Sequence, residues 1–103
     1  MGLSVRVEGE GGDPVTNEVL DPGDLLHRLL PPHDDASYKC LRFIDWYGDT
    51  VFNQLQIPVF LEEIARIRQT AHDAEERRLL DSISELAKHC QKEAHLDLKF
   101  YGD

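Results

Sequence analysis

The chain has 103 residues, 41% of them hydrophobic, which predicts one globular domain spanning residues 1–103. It carries 20 acidic and 11 basic residues, a formal net charge of −9. Nucleic acids and anionic membranes are bound by clustered Lys and Arg, so this charge argues against both as partners and favours a basic protein. The excess is concentrated in residues 1–35, which hold eight acidic residues and two arginines.

The sequence also predicts a cytoplasmic location. Its first residues lack the basic start and apolar run of a secretory leader, and no apolar stretch approaches the ~20 residues that span a bilayer. Cys40 and Cys90 are far apart and lie among apolar neighbours. We therefore expect two buried thiols rather than a disulfide.

The first third of the chain predicts two strands and a short helix. Leu3 to Glu8 alternates apolar and polar residues, the period of a half-buried strand, and a weaker strand is predicted from Val15 to Leu20. A turn follows at residues 21–24, where Asp24 is positioned to cap a short helix. Pro31-Pro32 ends that helix, because proline lacks an amide donor and restricts the residue before it.

The middle of the chain predicts a β-hairpin. Ser37 to Trp46 alternates as a first strand, which would include Cys40, and Thr50 to Gln56 alternates as a second. Tyr47-Gly48-Asp49 between them is interpreted as the turn, with Gly48 supplying a positive φ.

Two helices and a final strand are predicted next. Pro58 suits the first turn of one helix. Ala74 to Lys92 has the most regular helical spacing, and Asp73 with Glu76 resembles a capping box at its start. His95 to Tyr101 alternates as a strand that we expect to be paired within the sheet. The order predicts an α+β domain, a mostly antiparallel sheet with two to three helices packed on one face.

Motifs for catalysis or metal binding are not evident. The five histidines form no His-x-x-x-His pair, and neither zinc, nucleophile-elbow nor nucleotide-loop patterns occur, so no cofactor is predicted. Asp45 and Asp49 flank the predicted turn and would suit an acid–base pair or a hard-cation site. A small enzyme or metal-dependent protein using Asp45 and Asp49 with a histidine is therefore the alternative function. Against it, Asp before a turn is favoured simply because its side chain bonds local amides.

The same turn is favoured as a recognition surface. Trp and Tyr are enriched at binding hot spots, and acidic neighbours would select a basic partner. The competing interpretation is that Trp46 lies on the sheet and closes the edge of the core. Tyr-Gly-Asp occurs at residues 47–49 and again at 101–103. The two copies would share one acidic-aromatic patch if the last strand pairs beside the hairpin, although we favour coincidence.

Taken together, these features predict a protein-binding module, more in keeping with an inhibitor or adaptor than an enzyme. Its predicted binding residues are Asp45, Trp46, Tyr47, Asp49 and Tyr101. Self-association as a homodimer, through the long helix or an open sheet edge, is a further hypothesis.

Two stretches resemble a family of small acidic bacterial proteins of unassigned function. One runs from Phe43 to Asn53 and contains Tyr-Gly-Asp-Thr-Val-Phe-Asn, and the other is the closing Leu-Lys-Phe-Tyr-Gly-Asp. The resemblance covers about residues 41–103 and implies no particular chemistry. In size and acidity the chain is also similar to toxin-neutralising immunity proteins, a likeness used here only as an analogy.

Overall fold

A computed structural model describes residues Leu3 to Gly102, and this part of the chain contains four strands and three α-helices. The strands are β1 (Ser4–Glu8), β2 (Val19–Leu20), β3 (Asp49–Phe52) and β4 (Asp97–Tyr101). The α-helices are α1 (Leu25–Leu29), α2 (Ile57–Arg68) and α3 (Ala74–Lys92). The predicted α+β class and antiparallel sheet are confirmed. No helix in this part of the chain combines the length and apolar content needed to cross a membrane.

The four strands form one antiparallel sheet in the order β2-β1-β4-β3. The last strand therefore lies inside the sheet, as predicted, with β1 on one side and β3 on the other. Tyr101 is the register partner of both Ser4 in β1 and Asp49 in β3. Because directly opposed residues share a face, Tyr101 and Asp49 lie on the same side of the sheet.

The core lies between the inner face of this sheet and helices α2 and α3. Phe60 of α2 meets Phe52 of β3 and Phe100 of β4, with ring centroids 5.3 and 5.9 Å away. Helix α3 packs against α2 and against β1 and β4. The buried strand residues on the inner face are Val5, Val7, Phe52, Leu98 and Phe100, whereas Thr50, opposite Phe100, is half-buried.

The predicted strand from Ser37 to Trp46 is wrong. Its centre, Leu41–Phe43, is a 3₁₀ helix. The cause lies in α2, where the buried carboxylate of Glu63 accepts hydrogen bonds from the backbone N–H groups of Lys39, Cys40 and Leu41. These amides are therefore occupied by a side chain and cannot join a strand ladder.

Two of the predicted strands, Thr50 to Gln56 and Val15 to Leu20, are shorter than expected. The second strand of the supposed hairpin ends at Phe52, because Asn53 and Gln56 bond each other in a turn that leads into α2. The weak strand predicted from Val15 to Leu20 is limited to Val19–Leu20. Gly48 has no positive φ; among the described glycines that conformation belongs to Gly11, Gly12 and Gly23.

The two predicted helix caps differ in outcome. Asp73 caps α3, its Oδ1 accepting the N–H of Glu76 at 2.9 Å, while the Glu76 carboxylate accepts the N–H of His72 at 2.7 Å. Asp24 precedes α1 but makes no side-chain cap. Asp21 takes that role by accepting the N–H of Leu26, and burial raises the pKa of its carboxyl group.

Cys40 and Cys90 are both buried free thiols, as predicted, and burial raises the pKa of each to about 11. A pKa above that of the unfolded chain means that the contribution of each thiol to stability is complete below pH ~9. That contribution is lost as the pH rises through the folded-state pKa.

We therefore expect the free energy of unfolding to fall between pH ~9 and pH ~11, and to fall less steeply in a Cys40→Ala/Cys90→Ala variant. Urea unfolding at several pH values measures this difference, and comparing the two proteins removes the contribution of tyrosine and lysine titration. Parallel curves for the two proteins would contradict the expected contribution of the thiols.

The burial of the thiols also predicts low reactivity. Iodoacetamide at pH 8 should label either thiol far more slowly in the folded protein than in urea.

Candidate functional site

The chain bends at residues 46–48, between Asp45 and the start of β3, and side chains on either side hold this turn. Asp45 Oδ1 accepts the N–H of Tyr47 at 2.9 Å, and Thr50 Oγ1 accepts the N–H of Asp45 at 2.9 Å. A Cβ atom at Gly48 would lie 2.8 Å from Asp45 Oδ2, so glycine leaves space for the carboxylate. Asp45 therefore shapes the backbone of this turn.

The end of β4 packs directly against this turn. The N–H of Gly102 donates to the carbonyl oxygen of Gly48 at 2.8 Å. A Cβ atom at Gly102 would lie 2.4 Å from the carbonyl oxygen of Trp46, closer than any side chain allows. Tyr101 and Gly102 of the second Tyr-Gly-Asp copy thus lie next to the first copy, as expected if the last strand lies beside the turn. Asp103 lies outside the described residues.

Tyr47 is the most exposed aromatic side chain in the described part of the chain, with 83% of its surface accessible. The side chains of Asp45 and Asp49 on either side of it are also exposed. The turn therefore presents an exposed aromatic ring, and the acidic residues that flank it in the chain are exposed as well.

Trp46, unlike the exposed Tyr47, is partly covered by the rest of the protein. It is half-buried against the core, and its ring centroid lies 4.6 Å from that of His27. Both rings line an open groove of about 440 Å³, called here the Trp46 groove. The residues that line it are His27, Leu30, Pro31, Pro32, His33, Asp34 and Trp46. Trp46 thus packs on the core, as one interpretation held, and also forms part of a concave surface.

The Trp46 groove is built where two chain segments are tied together. Pro31-Pro32 turns the chain away from the end of α1, and His33 follows immediately. The Nε2–H of His33 donates to the carbonyl oxygen of Ile44, and Arg42 Nη1 donates to the carbonyl oxygen of His33, both at 3.1 Å. Because Nε2 carries the proton, the Nδ1 atom of a neutral His33 is a hydrogen-bond acceptor.

Tyr101 and Asp49 lie in a charged cluster on the outer face of the sheet. The Tyr101 hydroxyl donates to the buried carboxylate of Glu8 and accepts from Arg6 Nη2 at 3.0 Å. Arg6 and Lys99 lie over the Tyr101 ring, 4.8 and 4.7 Å from its centroid. Lys99 Nζ is also 3.7 Å from Asp49 Oδ2. In this part of the predicted site, the Tyr101 hydroxyl and the Asp49 carboxylate therefore already have partners within the protein, including the cations of Arg6 and Lys99.

The proposed pairing of Asp45 with Asp49 for catalysis or metal binding has little support in this geometry. Asp45 bonds its own turn, whereas Asp49 faces Lys99 across the sheet. Between Leu3 and Gly102, no group of three or more His, Cys, Asp or Glu side chains is arranged to hold a metal ion.

Comparison of the chain with protein-family models, curated proteins and solved structures gives no match. The site is therefore interpreted from its own residues. Sequence reasoning did not link His27, Pro31, Pro32 or Asp34 with Trp46, although in the folded chain they line one groove with it. The Pro-Pro pair marked the end of a helix, but nothing in its spacing indicated which aromatic residue would share that groove.

Proposed function

We propose that this chain is a cytoplasmic, non-enzymatic protein-binding module, an immunity-like inhibitor or adaptor, that recognises a basic protein. Its contact surface is centred on Tyr47 and includes Asp45 and the neighbouring Trp46 groove. The observation that carries the proposal is the exposure of Tyr47 in a turn whose backbone is held by a hydrogen bond to Asp45. Nucleic acids and membranes are not proposed as partners, because the net charge is −9.

An exposed Tyr on a fixed backbone is well suited to binding. Tyrosine offers a large amphipathic contact area with few rotatable bonds, so little conformational entropy is lost when a partner covers it. The turn is already ordered by Asp45 and by the hydrogen bond from Gly102 to Gly48. A preorganised surface of this kind binds without a cost for loop ordering.

The charges favour a basic partner through both rate and selectivity. A surface dominated by carboxylates accelerates encounter with a protein of opposite charge and disfavours acidic proteins. Asp49 and Tyr101 are assigned to the edge of the contact surface. The charge of Asp49 is partly neutralised by Lys99, and the Tyr101 hydroxyl already bonds Arg6. The binding energy is therefore assigned to Tyr47 and the groove rather than to the whole predicted patch.

The test begins with capture of partners from the native lysate on the immobilised protein at low salt, followed by a high-salt wash. The interaction of the released partner is then measured with purified proteins. We expect Tyr47→Ala to weaken binding by about tenfold or more, as loss of a hot-spot residue does. The thermal unfolding midpoint should stay unchanged, because the side chain is exposed.

Leu55→Ala provides the matched control, since Leu55 is an exposed hydrophobic residue with 88% of its surface accessible, outside the turn. It should bind as the unchanged protein does. Equal affinity of Tyr47→Ala and Leu55→Ala would contradict the proposed surface. If no basic protein is captured, the solution mass should be measured, because a dimer would favour the self-association hypothesis instead.

A further inference from the structure

We infer that the Trp46 groove is the pocket for an arginine side chain of the basic partner. This inference rests on the proposed function and deepens it by naming the partner group that the pocket takes. The groove has a volume of about 440 Å³, within the range of about 300–1,000 Å³ typical of ligand pockets. It therefore has room for one long side chain and part of its backbone.

The lining separates into an aromatic wall, an apolar wall and one carboxylate. Trp46 and His27 form the aromatic wall, with an interplanar angle of 53°. Leu30 and the two prolines supply apolar surface. A guanidinium is planar and weakly hydrated, so it stacks on aromatic faces while its methylene stem covers apolar surface.

The carboxylate of the groove favours a cation, in a lining that also includes two imidazoles. Among the residues that the structure describes, its lining contains Asp34 as a carboxylate and neither Lys nor Arg. The adjacent Arg28 faces the carboxylate of Glu76, 3.6 Å away. Arg42 donates to the backbone of His33 and lies over the Phe43 ring at 4.3 Å. An incoming arginine would thus meet the Asp34 carboxylate without a basic residue in the lining.

An arginine suits this pocket better than a lysine for a geometric reason. The guanidinium has a planar fork of donors that can bond a carboxylate while its face lies on a ring, and the Nδ1 atom of a neutral His33 is a further acceptor. A lysine ammonium is a compact, strongly hydrated point charge and would use the aromatic wall less fully. The neutral isostere citrulline keeps the shape of arginine and lacks its charge.

The experiment titrates the ¹⁵N-labelled protein with Nα-acetyl-arginine amide and follows backbone and indole shifts. Trp46 is the single tryptophan of the chain, so its indole N–H and its fluorescence report directly on the groove. We expect saturable shifts at Trp46, His27 and Asp34 with a millimolar dissociation constant. The citrulline derivative should bind at least fivefold more weakly, and the lysine derivative should be intermediate.

Two exposed substitutions test the contacts without disturbing the core. Asp34→Asn should weaken binding of the arginine derivative by about 1.5- to fivefold, the range expected for an exposed ion pair. His27→Ala should also weaken binding, because it removes half of the aromatic wall. Glu18→Gln removes the same charge outside the groove lining and should leave the affinity unchanged, and thermal unfolding verifies that each variant is folded.

Equal binding of the arginine and citrulline derivatives, preferential binding of Nα-acetyl-proline amide, or shifts confined to residues outside the groove would overturn the inference. So would an affinity that Asp34→Asn leaves unchanged. The proposed function fails in a different way, namely if the unchanged protein captures no basic protein while the arginine derivative still shifts Trp46. Conversely, a captured basic protein that binds Asp34→Asn and His27→Ala normally would retain the function and reject the pocket.

Discussion

Glu63→Ala is expected to lower the free energy of unfolding by about 3 kcal/mol or more, because three backbone N–H groups would lose their shared acceptor. The Glu63 carboxylate is buried and accepts from Cys40 at 3.0 Å, from Leu41 at 2.9 Å and from Lys39. These hydrogen bonds link α2 to the 3₁₀ helix Leu41–Phe43 and to the two residues before it. Urea denaturation followed by circular dichroism measures the loss.

The neighbouring Glu62 provides the control. It occupies the same helix but is exposed, so Glu62→Ala should change the free energy of unfolding by no more than about 0.5 kcal/mol. Glu63→Gln retains one acceptor oxygen and should fall between the two. If Glu63→Ala were as stable as Glu62→Ala, the three hydrogen bonds would contribute nothing to the fold, contrary to our expectation.

Phe60→Ala is expected to destabilise the protein by about 3–5 kcal/mol, the usual range for deletion of a buried aromatic ring. Phe60 is fully buried, and its ring meets those of Phe52 and Phe100 at the junction of α2 with β3 and β4. Removal leaves a cavity bordered by two rings that belong to a hydrogen-bonded sheet, which limits how far they can collapse. Thermal and urea unfolding both measure the effect.

Phe43→Ala makes the matched comparison, since 57% of the Phe43 surface is accessible and its ring is covered mainly by the Arg42 guanidinium. Its cost should be below about 1 kcal/mol. A similar loss of unfolding free energy in both variants would show that the contact of Phe60 with Phe52 and Phe100 is not the main stabilising contact between α2 and the sheet.

The regular elements could be predicted from the sequence wherever a single pattern determined them. Ala74–Lys92 is a helix with the predicted bounds, because its apolar stripe and the Asp73 cap indicate the same start. The last strand, predicted from His95 to Tyr101, starts two residues later at Asp97, after His95 with its positive φ of 66°, and from there half-buried and buried residues alternate as expected. In both segments the local pattern and the tertiary packing agree.

The segment between Ser37 and Trp46 was mispredicted because its structure depends on a distant residue. Its alternation of apolar and polar residues satisfies the strand pattern, but Glu63 removes three of its amides from any ladder. A buried Glu on a helix has no local sequence signature. The contact therefore becomes visible only when α2 is placed beside the segment.

The sequence indicated parts of the geometry of the candidate site. The turn was expected to leave its aromatic residues incompletely buried, which holds for Tyr47, and the last strand does end beside the turn, where Gly102 bonds Gly48. The partition of the site was not predictable, because it depends on strand register: Tyr101 lies opposite Ser4 and Asp49, on the face of the sheet where its hydroxyl bonds Glu8. His27 joins Trp46 through packing between segments that are far apart in the chain.

The position of β4 between β1 and β3 governs how quickly this protein can fold. Glu8 and Tyr101, which share a hydrogen bond, are separated by 93 residues along the chain. The centre of the sheet therefore closes only after a very long loop, and the entropy of that closure must be overcome before the strand contacts stabilise anything. The helices can form early. The hydrogen bond from Gly102 to Gly48, by contrast, can form only when this last strand is in place. Refolding should therefore be slow for a domain of this size, and the contact between Gly48 and Gly102 should form with the slowest phase rather than with helix formation.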